Sequence, residues 1–223
     1  MASFTNSTRT LVLDLDGTLV DSLPDLAASL DRLMAARGLP GFTLDEVRPM
    51  VGDGTQKLVE RALAARHAPA PSPEEFDAFV VDYTAHAADA TTLYPGVEET
   101  LTSLAGAGWC FAICTNKPVA AAQMLIAALG LADRFAAIGG GDSFPVRKPD
   151  PAHLLSTIAR AGGDPVRAVM AGDHANDIAA AQGAGLPSIF ALWGYGPETM
   201  ARGAAATARR FTDLAVIAPR LLP

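Results

Sequence analysis

Four short clusters in this sequence carry residue types suited to one kind of chemistry. Asp14 and Asp16 stand one residue apart, followed by Gly17 and Thr18. Thr115 and Asn116 form the second cluster, Lys148 the third, and Asp173 with Asp177 the fourth. If a fold brings them together, four carboxylates share one site, which is costly unless a cation offsets them or protons are retained. Carboxylate and carbonyl oxygens are the ligands that hard Mg²⁺ prefers. Lys148 adds a compact positive charge suited to a phosphoryl oxygen. Thr115 offers a hydroxyl and neighbouring backbone N–H groups. These are the parts that phosphoryl transfer needs, where positioning and charge neutralisation supply most of the catalysis.

Two acids separated by one residue also permit a division of labour. On an extended strand Asp14 and Asp16 point the same way, and the turn at Gly17 can swing the second aside. One then attacks phosphorus while the other moves a proton to the leaving oxygen and from water. Each cluster has a plainer reading when taken alone. Asp-x-Asp at a strand end is ordinary turn chemistry. Lys148 before Pro149 reads as an exposed loop lysine, and Thr115 with Asn116 as a helix entry. Asp177 in a first helical turn offsets the macrodipole. The combination of all four is what favours a site.

The surrounding pattern supplies elements that can position these clusters. Residues 10–15 are almost continuously apolar, as in a parallel strand covered on both faces, and stop at Asp16-Gly17-Thr18. From residue 21 to about 92 the pattern is helical, with no convincing strand. Leu26, Leu30, Leu33 and Met34 recur at helical spacing before Gly38. Thr43 and Glu46 match a capping box, Gly52-Asp53-Gly54 is a tight loop, and Leu58, Val59, Ala62 and Leu63 mark a further helix. The Pro-rich residues 69–73 read as a linker before a helix carrying Phe76, Phe79, Val80 and Tyr83. Strands are then expected at 109–114, 135–138, 168–171 and 188–192, with helices between them and a short strand and helix around 210–214. Alternation of this kind implies a parallel sheet with helices on both faces. The fold class is therefore α/β, with residues 1–20 and 93–223 forming the core and residues 21–92 an inserted all-helical cap. Ligands of open α/β sheets bind at the carboxyl ends of strands, so an insertion leaving from that end lies over the site.

Composition narrows the function classes. The 223 residues are 50% hydrophobic and 18% charged, an ordinary globular balance. A net charge of -7 argues against general nucleic-acid binding, which needs a positive footprint. Cys110 and Cys114 lie four apart on one predicted strand, too far to bridge, and read as buried reduced thiols. Residues 1–10 are polar and no apolar run reaches membrane-spanning length, so a cytoplasmic location with no membrane partner is expected.

Four stretches carry a family resemblance. Residues 14–22, Asp-Leu-Asp-Gly-Thr-Leu-Val-Asp-Ser, resemble the first motif of the haloacid dehalogenase-like hydrolases. Residues 113–118 (Ile-Cys-Thr-Asn-Lys-Pro) resemble the second, 148–151 (Lys-Pro-Asp-Pro) the third and 172–178 (Gly-Asp-His-Ala-Asn-Asp-Ile) the fourth. Within that superfamily the chain looks most like the phosphoglycolate phosphatases, through residues 52–54, 58–63, 94–97, 115–118, 139–142 and 194–196. The resemblance implies a Rossmann-like core with a helical cap. It implies Asp14 as nucleophile, Asp16 as general acid/base with its backbone carbonyl on Mg²⁺, and Thr115 with Asn116 and Lys148 at the phosphoryl group. Asp173 would complete a metal set of Asp14, Asp16 and Asp173, and Asp177 would support it. The implied substrate is a small phosphorylated metabolite, 2-phosphoglycolate being the best guess. One departure stands out: His174 occupies a position where the family usually has a small hydroxyl residue. Contact with the phosphate-side loop or a carboxylate and simple helix capping are both open to it.

Rival readings follow from the same residues. A dehalogenase of the same fold needs neither a second Asp nor a metal, and Asp16 argues against it. A phosphomutase or sugar-phosphate phosphatase would differ in its cap residues. A non-catalytic phospho-acceptor module shares paired acids and a Lys but lacks a cap. Gly52-Asp53-Gly54 is either an interhelical turn or a loop closing over substrate. Lys57 and Arg61, one helical turn apart, suit a solvated face better than a substrate carboxylate. His67, His86 and His153 show no metal-ligand spacing and read as surface or packing residues.

Overall fold

The computed structural model describes residues 8–222; the polar segment 1–7 and residue 223 lie outside that range. The chain opens with strand β1 (Arg9–Leu13) and a two-residue strand β2 (Val20–Asp21). Helices α1 (Leu23–Ala36), α2 (Leu44–Val47), α3 (Thr55–Ala65) and α4 (Pro73–Ala85) follow, and the chain returns through β3 (Thr92–Leu93). An alternating series completes it: α5 (Val97–Gly106), β4 (Trp109–Cys114), α6 (Val119–Ala128), β5 (Ala137–Gly139), α7 (Pro151–Arg160), β6 (Ala168–Gly172), α8 (Ala175–Gly183), β7 (Ser188–Ala191), β8 (Ala206–Ala208) and α9 (Leu214–Leu221).

The main sheet is parallel in every pairing, with order β5-β4-β1-β6-β7-β8. Its burial explains the unbroken apolar runs. Leu11 and Leu13 face one side and pack with Phe111, Ile113, Val169 and the helical residues Leu101, Leu104 and Leu125. Val12 faces the other, with Ala112, Met170, Leu154 and Ile158. Successive side chains point to opposite faces, so a strand covered by helices on both must be apolar throughout. The strand order reverses at β1, between β4 and β6. That is the switch point where α/β sheets bind ligands.

The helices between β2 and β3 have their own apolar cluster. Leu23, Leu26, Leu30 and Met34 of α1 meet Leu58, Val59, Ala62 and Leu63 of α3 and Phe79 and Tyr83 of α4. Helix α1 stops where expected. Gly38, at φ +66°, donates to the Ala35 carbonyl and Leu39 to that of Met34, a Schellman ending. The Thr43–Glu46 capping box is formed.

Several local expectations need correcting. The stretch 21–92 is not free of strands at its ends, because β2 and β3 pair antiparallel where the chain leaves and re-enters. Two-residue strands are too short to leave a periodic signal. Residues 69–73 are not all linker: Ser72 caps α4 with Glu75 in a capping box, and Pro73 is the first helical residue, a position where its missing N–H costs nothing. The last strand and helix lie at 206–208 and 214–221 rather than around 210–214, which is mostly a 3₁₀ turn. Cys114 is buried but Cys110 only half so, and both are free.

Candidate active site

The carboxyl ends of β1, β4, β5 and β6 bring the four clusters to one edge of the sheet. Asp14 directly follows β1, and its N–H donates to the Ala171 carbonyl of β6 at 2.9 Å. Thr115 directly follows β4, with its N–H on the Gly139 carbonyl of β5 at 2.9 Å. Asp173 directly follows β6, and Asp177 sits in the first turn of α8. Ligand oxygens of Asp14, Asp173 and Asp177 lie within 4.8 Å of one another.

Lys148 reaches into this group. Its ammonium is 2.9 Å from Asp14 Oδ1 and 2.6 Å from Asp177 Oδ1, with the lysine side chain only 1% exposed. Burial by itself would lower its pKa, but the two carboxylates outweigh that and hold the lysine charged, above its ordinary range. The loop that delivers Lys148 is set by His153. The Lys148 N–H donates to His153 Nδ1 at 3.1 Å, which leaves Nε2 to donate to the Gly140 carbonyl at 3.0 Å. Burial and the nearby Lys148 push His153 down to about 4, so it stays neutral in this role. The peptide bond between Lys148 and Pro149 is cis.

Asp173 is fixed from both sides. Thr18 Oγ1 donates to its Oδ1 at 2.8 Å, and the Tyr195 N–H donates to Oδ2 at 2.8 Å. The approach depends on Gly17: at φ +82°, an added Cβ would sit 2.4 Å from Asp173 Oδ2. Asp177 is held through the capping box of α8, where its Oδ2 accepts from the His174 N–H at 3.0 Å.

Charge is out of balance here. Burial, reinforced by the Asp177 carboxylate and opposed by Lys148, pushes Asp14 up to about 6. Burial, then Asp14 and Asp177, pushes Asp173 up to about 7 against the hydrogen bonds from Thr18 and Tyr195. Three clustered carboxylates share one ammonium, so full ionisation leaves an excess of negative charge. An all-oxygen set with that excess fits a hard divalent cation.

The Asp16 carboxylate stands apart from this cluster. Its Oδ1 accepts from Ser22 Oγ at 2.6 Å and from the Lys117 ammonium at 3.0 Å. The Asn116 amide bridges two loops, donating at 3.0 Å to the carbonyls of Gly52 and of Lys148. The Thr115 hydroxyl accepts from the Lys117 N–H at 3.2 Å.

His174 takes the capping reading. Its Nδ1 caps α8 by accepting from Asn176 N–H at 3.2 Å, and its ring packs on Gly52. Asn176 in turn donates to Asp53 Oδ1 at 2.7 Å, and Arg61 pairs with Asp53 and donates to the Met50 carbonyl. Arg61 is thus a strut of the 52–54 loop, while Lys57 pairs with Glu60 on an exposed face.

Sequence reasoning missed Lys117, Tyr83 and Tyr195 as site residues. Lys117 is 3% exposed; a lysine three residues past a strand normally reaches water, and only its place in the second motif marked it. Tyr83 fits the packing face of its helix by spacing, yet its hydroxyl meets the Lys117 ammonium. Tyr195 Oη donates to Asp21 Oδ1 at 2.9 Å and accepts from the N–H groups of Ser22 and Leu23. No local pattern announces a contact spanning that separation.

A family model for haloacid dehalogenase-like hydrolases matches residues 8–185. The chain belongs to the haloacid dehalogenase-like hydrolases. A phosphoglycolate phosphatase of Agrobacterium fabrum is 44% identical over 187 residues, covering 82% of this chain and 80% of that protein. One of Caulobacter vibrioides is 41% identical over 192 residues, covering 85% and 81%. Among solved structures, a predicted phosphoglycolate phosphatase from Haemophilus somnus superposes with TM-score 0.84 at 31% identity, covering 94% of this chain and 97% of the other. CbbY from Rhodobacter sphaeroides, solved with phosphate, gives TM-score 0.80 at 25% identity over 93% and 96%. As a member of the haloacid dehalogenase-like hydrolases, this chain carries the family's parallel sheet, and its acidic cluster lies at the sheet's switch point. Among the described residues no helix is long and apolar enough to cross a membrane.

Proposed function

We propose that this hydrolase cleaves small phosphate monoesters, with 2-phosphoglycolate the leading substrate, in the cytoplasm. The observation that carries this reading is the convergence of Asp14, Asp173 and Asp177, with the Lys148 ammonium on Asp14 and Asp177. The names of the 40–44% identical relatives support the substrate.

Asp14 is the nucleophile: its carboxylate oxygen bonds to phosphorus as the ester P–O bond breaks, giving an aspartyl-phosphate. Asp16, entering the step as the carboxylic acid, turns from Ser22 and Lys117 and gives its proton to the leaving oxygen. It then takes a proton from water, whose oxygen attacks phosphorus, breaks the Asp14–phosphorus link and releases inorganic phosphate. Lys148 neutralises the phosphoryl oxygens and holds Asp14 in line. Thr115 and Asn116 bound the phosphoryl site from the β4 end. Asp14, Asp173 and the backbone carbonyl of Asp16 would hold Mg²⁺, with Asp177 supporting them. Bound there, the ion supplies positive charge to a dianionic phosphoryl group near a carboxylate nucleophile.

Residues 21–92 act as a cap on a core of residues 1–20 and 93–223. Two observations support this: the separate apolar cluster of α1, α3 and α4, and the Gly52 carbonyl accepting from Asn116 and Asn176 across the site. The test is turnover of p-nitrophenyl phosphate and 2-phosphoglycolate with Mg²⁺ and with EDTA. Repeated metal-dependent turnover is expected. A single stoichiometric phosphorylation of Asp14 would instead make the chain a phospho-acceptor.

A further inference from the structure

We infer that Lys117 is the specificity-determining residue of this site, and that it binds a carboxylate carried by the substrate's leaving group. The inference rests on the phosphatase reading above and extends it to the part of the substrate that is not transferred.

Two lysines border the site, and their partners differ. Lys148 has two carboxylates, Asp14 and Asp177. Lys117 is as deeply buried, with its side chain 1% exposed, and Asp16 is its one ion-pair partner among the described residues. The other groups on its ammonium are neutral: the Tyr83 hydroxyl, and the Tyr83 ring with its centroid 4.4 Å away. The backbone beneath is rigid. The Lys117 N–H donates to Thr115 Oγ1, and its carbonyl accepts from Gly141 N–H at 2.8 Å. The base of the side chain is therefore fixed, and its buried ammonium sits against Tyr83.

Asp16 must leave Lys117 to move a proton at the scissile bond. Its departure strands a buried ammonium beside neutral groups, which is unfavourable without a replacement anion. A carboxylate on the leaving group supplies one. It takes the place of Asp16 on Lys117, and the exchange frees Asp16 more readily when a substrate of the right charge is present. A neutral alcohol on the leaving group offers no such compensation. The space agrees: the cavity between Asp14, Asp16, Tyr83 and Lys117 holds about 30 Å³, room for roughly two waters. A carboxylate is of that size. The larger opening of about 340 Å³ on the other side of Asp14 is bordered by Arg48, whose guanidinium lies 5.6 Å from the Tyr195 ring centroid. Arg48 is the competing reader, but it is exposed and already solvated.

The experiment measures kcat/KM for 2-phosphoglycolate and for its uncharged analogue 2-phosphoglycolamide, and uses their ratio. Damage to Asp16 common to both substrates cancels in that ratio. In wild type the carboxylate is preferred, and in Lys117→Met the ratio falls by at least about 30-fold, the lower end for truncating one partner of a buried charge pair. Arg48→Gln leaves the ratio within about threefold, the scatter expected of a solvated contact. A ratio unchanged in Lys117→Met, or one that collapses in Arg48→Gln instead, overturns the assignment. If Lys117→Met does not fold, the wild-type ratio alone decides: no preference for the carboxylate overturns it. Wild type that turns over p-nitrophenyl phosphate but shows no such preference defeats this inference alone. Absence of any Mg²⁺-dependent turnover defeats the phosphatase reading and this inference with it.

Discussion

The Lys148 ammonium lies 2.9 Å from Oδ1 of Asp14, with both side chains almost sealed from water. The same ammonium is 2.6 Å from Asp177, so one lysine restrains two acids that would otherwise repel each other. Replacing Lys148 with Met removes that restraint and leaves two buried carboxylates unpaired. A loss of about 3–5 kcal/mol in folding stability is typical for breaking such a pair. Urea unfolding of Lys148→Met in EDTA should show a loss of that size, with kcat/KM reduced by at least about 10³-fold, as for removal of a strong transition-state donor. A variant as stable and active as wild type would mean the pair is incidental.

Asp14→Asn should abolish turnover while the fold survives. Burial already pushes the Asp14 carboxyl up to about 6, so its charge opposes folding near pH 8 when no cation is bound. The amide keeps the shape and removes that charge, at the expense of one partner for Lys148. Circular dichroism should be unchanged, and no labelled enzyme should accumulate with ³²P-substrate. Residual labelling at another residue would move the nucleophile away from Asp14.

Stability should respond to pH and Mg²⁺ together. The folded-state pKa values of Asp14 and Asp173 are raised from 3.8 to about 6 and about 7. Their contribution is therefore fully present below about pH 4 and lost as pH rises through 6 to 7, because the native state holds the protons more tightly. His153, lowered to about 4, acts in the opposite sense over pH 4 to 6.5. The Mg²⁺-dependent increment in Tm separates the two. Protons compete with the ion for the same oxygens, so the increment should be small at pH 5 and largest near pH 8. Equal increments at both pH values would show that Asp14 and Asp173 are not its ligands.

Tyr195 ties the C-terminal part of the chain to the entrance of α1. Its hydroxyl accepts from the Ser22 and Leu23 N–H groups at 2.8 and 3.0 Å, two donors that the helix itself cannot satisfy. Tyr195→Phe leaves the Ser22 N–H buried and unpaired, for which about 1–3 kcal/mol is typical, while the Leu23 N–H keeps a long contact to Asp21 Oδ1 at 3.4 Å. Denaturant unfolding checks the size, and hydrogen exchange should show faster opening at residues 22–26 than in β1. Unchanged protection there would mean water replaces the hydroxyl.

The elements that position the site were largely legible from residue pattern. Continuous apolar runs marked β1, β4 and β6 because each strand is buried on both faces. Helical periodicity marked α1, α3 and α4, and the Thr43–Glu46 box was readable because it is local. The Ser72–Glu75 box was equally local but was obscured by the prolines around it. Strands β2 and β3 left no trace, since two residues carry no period and their pairing joins positions far apart in the chain.

For the site itself, the sequence alone determined which residue types sit at strand ends: Asp14, Thr115, Asp173 and, in its loop, Lys148. Chain order and turn chemistry suffice for that, because the end of a buried strand is written in its neighbours. Only the tertiary structure decided how they pair. Lys148 lies between Asp14 and Asp177 rather than in solvent, Asp16 rests on Ser22 and Lys117 outside the acidic cluster, and Lys117 is buried against Tyr83. The reason is physical. Whether a charged side chain reaches water or a partner depends on what the rest of the chain packs around it, and burial is a property of the whole fold that no short stretch of residues contains.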